Sequence, residues 1–184
     1  MSLVKSKNID LGKKAPDFCL IDVISNQSKT LTNLKGEVGT VIMFICNHCP
    51  FVIHVNNELV KLGNDYISKG INFIAISSND IEYYPQDSPA YMKQVANKLN
   101  YPFPYLYDDS QEVAKSYDAV CTPDFYLYDN DLKLVYHGQL DKSRPGNGLP
   151  LNGLDMRNAI NLLLKNELNA SLQQPSIGCS IKWK

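Results

Sequence analysis

Cys46 and Cys49 stand three positions apart, with Asn47 and His48 between them and Pro50 directly after. A C-x-x-C pair can be a redox couple, half of a zinc site, or two buried thiols. Its setting favours the redox couple. Val38 to Ile45 is an almost continuous apolar, β-branched run, the pattern of a strand buried on both faces. From Phe51 the period changes: Phe51, Val55, Leu59, Leu62 and Tyr66 recur every three or four residues, the stripe of an amphipathic helix. The cysteines therefore lie between a buried strand and the start of a helix.

Thiol–disulfide exchange needs a thiolate, and an unperturbed cysteine has a pKa of about 8.5. Unpaired N–H groups and the partial positive charge at a helix N-terminus favour the ionised sulfur. A second thiol three positions on can resolve a mixed disulfide within the chain. His48, as an imidazolium, would further stabilise a neighbouring thiolate. A more stable reduced form makes a more oxidising couple, so this pair is expected above thioredoxin's roughly −270 mV. Two helix starts are open. A start at Cys46 makes that thiol the nucleophile and Cys49 the resolving partner. Pro50 at the first helical position makes Cys49 the N-cap.

Three further cysteines complete the set: Cys19, Cys121 and Cys179. Cys121 and Cys179 are possible additional thiols. Cys19 alternates with Phe18 and Leu20 and is read as core. A metal reading would use Cys46, His48 and Cys49 with His54. Structural zinc takes four ligands, and no second C-x-x-C is present, so no metal and no cofactor are expected. Arg144, in a glycine-containing loop, is a candidate for a thiolate or a carboxylate.

The chain has 184 residues, 44% apolar and 20% charged, enough for one domain with a substantial core. A formal net charge of −1 without a long charged run calls for neither nucleic acid nor a membrane as partner. No apolar stretch is long enough to span a bilayer. The polar segment Met1 to Asp10 does not read as a signal peptide. An odd cysteine count argues against a secreted disulfide framework, and the protein is expected to be cytoplasmic.

The elements that must position the cysteines follow in order. Residues 1–12 read as a loosely held arm, and Ala15 to Ile21 as a short strand before a turn at Ser25-Asn26-Gln27-Ser28. Leu31 to Gly36 suggests a brief helix. The buried strand, the C-x-x-C and the long helix follow, with Gly70 as its stop. Ile71 to Ile76 is a second buried strand. Ser88-Pro89 opens another helix. Phe103 to Tyr107 is a strand, and Asp109-x-x-Glu112 resembles a capping box. Asp124–Tyr128 and Leu132–His137 flank Asp129-Asn130-Asp131 as a hairpin. Asn152-x-x-Asp155 opens the last helix, and 169–184 reads as an irregular tail. This order predicts a single α/β domain over 1–184, a mixed sheet with helices on both faces.

Three motifs in sequence resemble the thioredoxin-fold superfamily, and within it the redoxin, peroxiredoxin-like (AhpC/TSA-type) branch. Ala15-Pro16-Asp17-Phe18-Cys19-Leu20 is similar to the branch motif A-P-D-F-x-L. Cys46-Asn47-His48-Cys49 sits at the redox pair. Thr122-Pro123-Asp124-Phe125-Tyr126-Leu127 is similar to the segment carrying the cis-proline. The strand and helix before that proline resemble the redoxin β-α insertion. The resemblance implies a thioredoxin-like fold and catalytic Cys46 and Cys49, with Cys46 favoured as the attacking thiol and His48 tuning the pair. It implies a cis Pro123 facing them, with the Thr122 backbone binding an extended substrate.

The sequence departs from the branch in places. Ile45 stands where most thioredoxins have tryptophan. Aligned on Cys49, the peroxidase signature P-x-x-x-T/S-x-x-C has Ile42 and Cys46 at its proline and threonine positions. The expected activity is therefore a thiol–disulfide oxidoreductase cycling Cys46–Cys49, acting on protein or small-molecule disulfides and thiols with a thiol reductant. The alternatives are a thiol-dependent peroxidase acting on peroxide, with Cys49 peroxidatic and Cys46 or Cys179 resolving, and a thioredoxin-fold copper carrier.

Overall fold

The computed structural model describes residues 3–169 and 173–184. Its strands are β1 (Leu3–Lys5), β2 (Cys19–Asp22), β3 (Gln27–Thr30), β4 (Gly39–Phe44), β5 (Ile71–Ser77), β6 (Tyr105–Tyr107), β7 (Cys121–Thr122), β8 (Asp124–Asp129), β9 (Leu134–Gly138) and β10 (Ile177–Ser180). Its α-helices are α1 (Leu31–Leu34), α2 (Pro50–Tyr66), α3 (Pro89–Leu99), α4 (Glu112–Ser116) and α5 (Leu154–Leu164).

Strand β4 is the middle of the fold because all six of its residues are buried. It runs parallel to β5 and antiparallel to β8 in a seven-stranded mixed sheet ordered β3-β2-β6-β5-β4-β8-β9. Successive side chains on a strand face opposite ways. Val41 and Met43 accordingly join Leu59 and Leu62 of α2, Met92 of α3 and Ile160 of α5, whereas Ile42 and Phe44 join Leu31 of α1 and Ala114 of α4 on the other face. Helices thus cover both faces, as the pattern predicts.

Helix α2 carries the cysteine pair at its head. Val52, Val55, Leu59, Leu62 and Tyr66 form its buried stripe. Burial of each large aliphatic side chain there contributes about 1.5–3 kcal/mol. A short 3₁₀ turn, Ile67–Lys69, follows, and Gly70 stops it at φ +83°, the left-handed region open to glycine.

Several local expectations change. The arm is tied down: β1 pairs with β10 from the far end of the chain. The tail is not irregular over Ile177–Ser180, which forms β10 between β1 and β7 in a separate three-stranded sheet. A four-residue strand without an amphipathic repeat gives no periodic signal, and its partners lie far away in sequence. Part of the tail, residues 170–172, lies outside the described residues. Cys19 is exposed rather than core, because it begins an outer part of the sheet. The turn falls before Gln27, which already belongs to β3. Helix α4 takes its carboxylate from Asp108, not Asp109: Ala114 N–H donates to Asp108 Oδ2 at 2.9 Å. No helix among the described residues is long and apolar enough to cross a membrane.

Candidate active site

Pro50 occupies the first position of α2 and Cys49 is its N-cap, with φ −69° and ψ +122°. Of the two helix starts open in the sequence, the structure has the second. Pro50 has no N–H to leave unpaired, which suits it to this position. Cys46 lies one turn earlier, just beyond the end of β4. Both sulfurs are buried, at 2% and 0% residue exposure.

The Thr122–Pro123 bond is cis, and this segment faces the pair. Cys46 Sγ is 3.4 Å from Thr122 Oγ1, and Cys49 Sγ is 3.2 Å from the Thr122 carbonyl oxygen. The Thr122 edge is not open, however. Strand β10 lies on it antiparallel, with Cys179 opposite Thr122 and Ser180 opposite Cys121. Cys179 Sγ is thereby brought to 2.9 Å from Cys49 Sγ, across 130 residues of sequence.

The three thiols are electrostatically unequal. Hydrogen bonding from the Cys46 thiol lowers the Cys49 pKa to about 5, against the opposing effect of burial. The Cys179 thiol, the Cys179 N–H and the Val52 N–H add to this stabilisation of a Cys49 thiolate. Cys46 moves the other way: its bond to Cys49, burial and the Asp87 charge all hold its proton on. Burial and then the bond to Cys49 push Cys179 up to about 12. These directions favour ionisation at the helix N-cap over the other two thiols. Cys121 is not drawn into it. Burial and the Asp124 charge raise its pKa, and its sulfur contacts the Pro123 carbonyl at 3.9 Å.

His48 is held by Asp87, whose Oδ2 lies 2.5 Å from His48 Nδ1. The same carboxylate accepts the backbone N–H groups of Asn47 (2.8 Å) and His48 (3.2 Å), and the Asn79 amide at 2.7 Å. Burial alone would raise the Asp87 pKa. The bonds from His48, Asn79 and Asn47 outweigh it and leave the group below the usual carboxylate value. Tyr84 stacks on the His48 ring at 5.2 Å. Asp87 and Asn79 went unmarked in the sequence, since neither sits in a motif; Asp87 is placed by the 3₁₀ turn Pro85–Asp87 that precedes α3. Tyr105, fully buried, donates to Asn47 Oδ1 at 3.2 Å.

Ligand atoms of Cys46, His48 and Asp87 lie within 4.8 Å of one another. The other two histidines have partners of their own. His54 Nε2 is 2.8 Å from Ser143 Oγ. His137 is buried, with Nε2 3.2 Å from both oxygens of Asp124 and its ring stacked on Tyr126. Arg144 does not reach the thiols as a binding group: its guanidinium donates to the carbonyls of Asp141 and Ser143 and to Gln139 Oε1 within its own region.

A mixed sheet, a C-x-x-C at the head of a helix and a cis-proline against it define a redoxin of the thioredoxin fold. Residues 11–137 match the AhpC/TSA family, and the chain belongs to that family. It is similar to an uncharacterized conserved protein from Geobacillus kaustophilus, with 59% identity, a TM-score of 0.98 and coverage of 100% of this chain and 97% of that one. It is 25% identical over 134 residues to the thiol-disulfide oxidoreductase ResA of Bacillus thuringiensis subsp. konkukian, covering 71% of this chain and 70% of ResA. A putative thiol:disulfide interchange protein DsbE from Chlorobium tepidum shares the fold at a TM-score of 0.68 and 18% identity, over 85% of this chain and 99% of that one.

Proposed function

We propose that this protein is a thiol–disulfide oxidoreductase that cycles a Cys46–Cys49 disulfide. The observation that carries the reading is geometric: Cys49 is the N-cap of α2, Cys46 stands three residues before it, and the segment with cis Pro123 lies against both sulfurs. The kinship with ResA supports the reaction class. The attacking sulfur on this reading is Cys49, the reverse of the superfamily expectation. The Cys49 thiolate attacks one sulfur of a substrate disulfide; the substrate S–S bond breaks and its second sulfur leaves as a thiolate. Cys46 then gives up its proton and attacks Cys49 in the mixed disulfide. The Cys46–Cys49 bond forms, and the substrate leaves as a dithiol. A thiol reductant returns the pair to its starting state.

His48 is oriented by Asp87, and a ligand atom of each lies within 4.8 Å of Cys46 Sγ. His48 Nε2 is buried and has no hydrogen-bond partner among the described residues. The peroxidase alternative is weaker, because Ile42 and Cys46 stand where its signature has proline and threonine. The test is reduction of an insulin-type protein disulfide by the protein with a thiol reductant. Activity is expected in the wild type and a loss of at least tenfold in both Cys46→Ser and Cys49→Ser. Unchanged turnover in either variant removes the proposed couple.

A further inference from the structure

The place where an extended substrate would pair with Thr122 is filled by the chain itself. Strand β10 runs antiparallel to β7, sets a cysteine opposite Thr122, and brings that sulfur to 2.9 Å from the N-cap sulfur. Main-chain pairing with a sheet edge is the way an extended peptide is recognised. From this juxtaposition we propose that β10 is a built-in substrate strand and that Cys179 is a third redox thiol, exchanging with the Cys46–Cys49 disulfide to form Cys49–Cys179. The proposal rests on the Cys46–Cys49 reading above.

The strand is built for this position. At Gly178 a side chain is excluded: a Cβ there would lie 2.0 Å from the Thr122 carbonyl oxygen and 3.2 Å from Pro123 Cδ. Glycine thus allows the close approach that sets the neighbouring Cys179 over Cys49. Both flanks are fastened. Ser176 and Ser6 exchange hydrogen bonds at 2.9 and 3.0 Å, and Ser176 Oγ donates to the Gly138 carbonyl at 2.7 Å. Beyond the strand, Ile181 N–H donates to Val120 O at 3.0 Å and Lys182 N–H to Asn79 Oδ1 at 2.8 Å. Asn79 also donates to Asp87, so the strand and the carboxylate that holds His48 share one anchor.

The exchange is balanced without any outside reagent. Cys179 loses its proton and attacks Cys49 Sγ of the Cys46–Cys49 disulfide. The Cys46–Cys49 bond breaks as the Cys49–Cys179 bond forms, and Cys46 leaves as a thiolate that takes up a proton. The number of disulfides is unchanged. A disulfide needs its sulfurs at about 2.05 Å, so the observed pair closes by less than about 1 Å. The result is an oxidised protein in which Cys46, beside His48, is a thiol again and β10 is covalently fixed on the Thr122 edge.

The experiment is disulfide mapping of the full chain after equilibration in glutathione redox buffer, with acid quenching, alkylation and proteolysis without reduction. Wild-type protein is expected to give both Cys46–Cys49 and Cys49–Cys179 linked peptides. Cys46→Ser is expected to give Cys49–Cys179 within the monomer and a loss of two alkylatable thiols. A Cys49–glutathione adduct with Cys179 still alkylatable in Cys46→Ser overturns the proposal, as does wild-type protein with Cys46–Cys49 alone. In that last case the oxidoreductase reading survives. If neither linkage forms in the wild type, both readings fall. Cys179→Ser, which keeps the shape of the strand, is expected to lose the second linkage and keep the first.

Discussion

Asp87 Oδ2 and His48 Nδ1 lie 2.5 Å apart, joining the turn before α3 to the loop between the two cysteines. That single carboxylate also caps two consecutive backbone N–H groups of the loop. It therefore fixes the loop's shape as well as its histidine. Removing it leaves buried donors unpaired, which costs about 1–3 kcal/mol for each neutral group and more for charged ones. Asp87→Ala is expected to lower stability by about 2–4 kcal/mol, read from denaturant midpoints at neutral pH, and to slow disulfide exchange more than Asp87→Asn does. Rates in both variants equal to wild type would remove the carboxylate from the mechanism.

The same group sets an acid limb of stability. Its folded pKa lies below its unfolded value of about 3.9. Its contribution is thus complete above the unfolded value and is lost as pH falls through the folded one. Wild-type stability is expected to decline on acidification over that window, with a shallower decline in Asp87→Asn. The two denaturation curves measured across the acid range decide it.

Cys49 should ionise far below an ordinary thiol. Thiolate absorbance of the reduced protein is expected to appear with a midpoint near pH 5. Since the Cys46 thiol is the largest stabilising influence, Cys46→Ala should move the midpoint up by about one unit or more, each unit being 1.36 kcal/mol of lost stabilisation. A midpoint near 8.5 in the wild type would mean that no thiol of the cluster is activated.

A thiolate held this strongly stabilises the reduced form. The Cys46–Cys49 couple should therefore lie above thioredoxin's roughly −270 mV. Equilibration against glutathione buffers, followed by alkylation, gives the value. A potential at or below that of thioredoxin contradicts the reading of the N-cap.

Gly178 tests the seating of β10 without touching a sulfur. Gly178→Ala places a Cβ against the Thr122 carbonyl. Overpacking of this kind costs about 1–3 kcal/mol, and the strand should lift from the Thr122 edge. Faster alkylation of Cys49 is expected, since β10 covers it. An alkylation rate equal to wild type, in a folded variant, argues that the strand is not the cover.

Much of this was legible in the sequence, for physical reasons that act locally. Val41 to Ile45 is apolar on both strand faces, so it had to be central. Phe51 to Tyr66 keeps one helical stripe, so the cysteines had to precede a helix. Pro50 already hinted that Cys49, not Cys46, would be the N-cap, and the structure made that choice. The hairpin at Asp129 to Asp131 was likewise visible, whereas the cis Pro123 followed only from the family resemblance.

What only the tertiary structure decided concerns partners far apart in the chain. Periodicity records which side of an element is buried, not which distant edge a short strand will meet. Ile177 to Ser180 has no period to read, yet it supplies the sulfur beside Cys49. Asp87 lies in no motif, yet it orients His48. Which cysteine carries the charge depends on donors from Cys46, Val52 and Cys179 converging on one sulfur, and that convergence exists only once β10, β7 and the head of α2 are packed together.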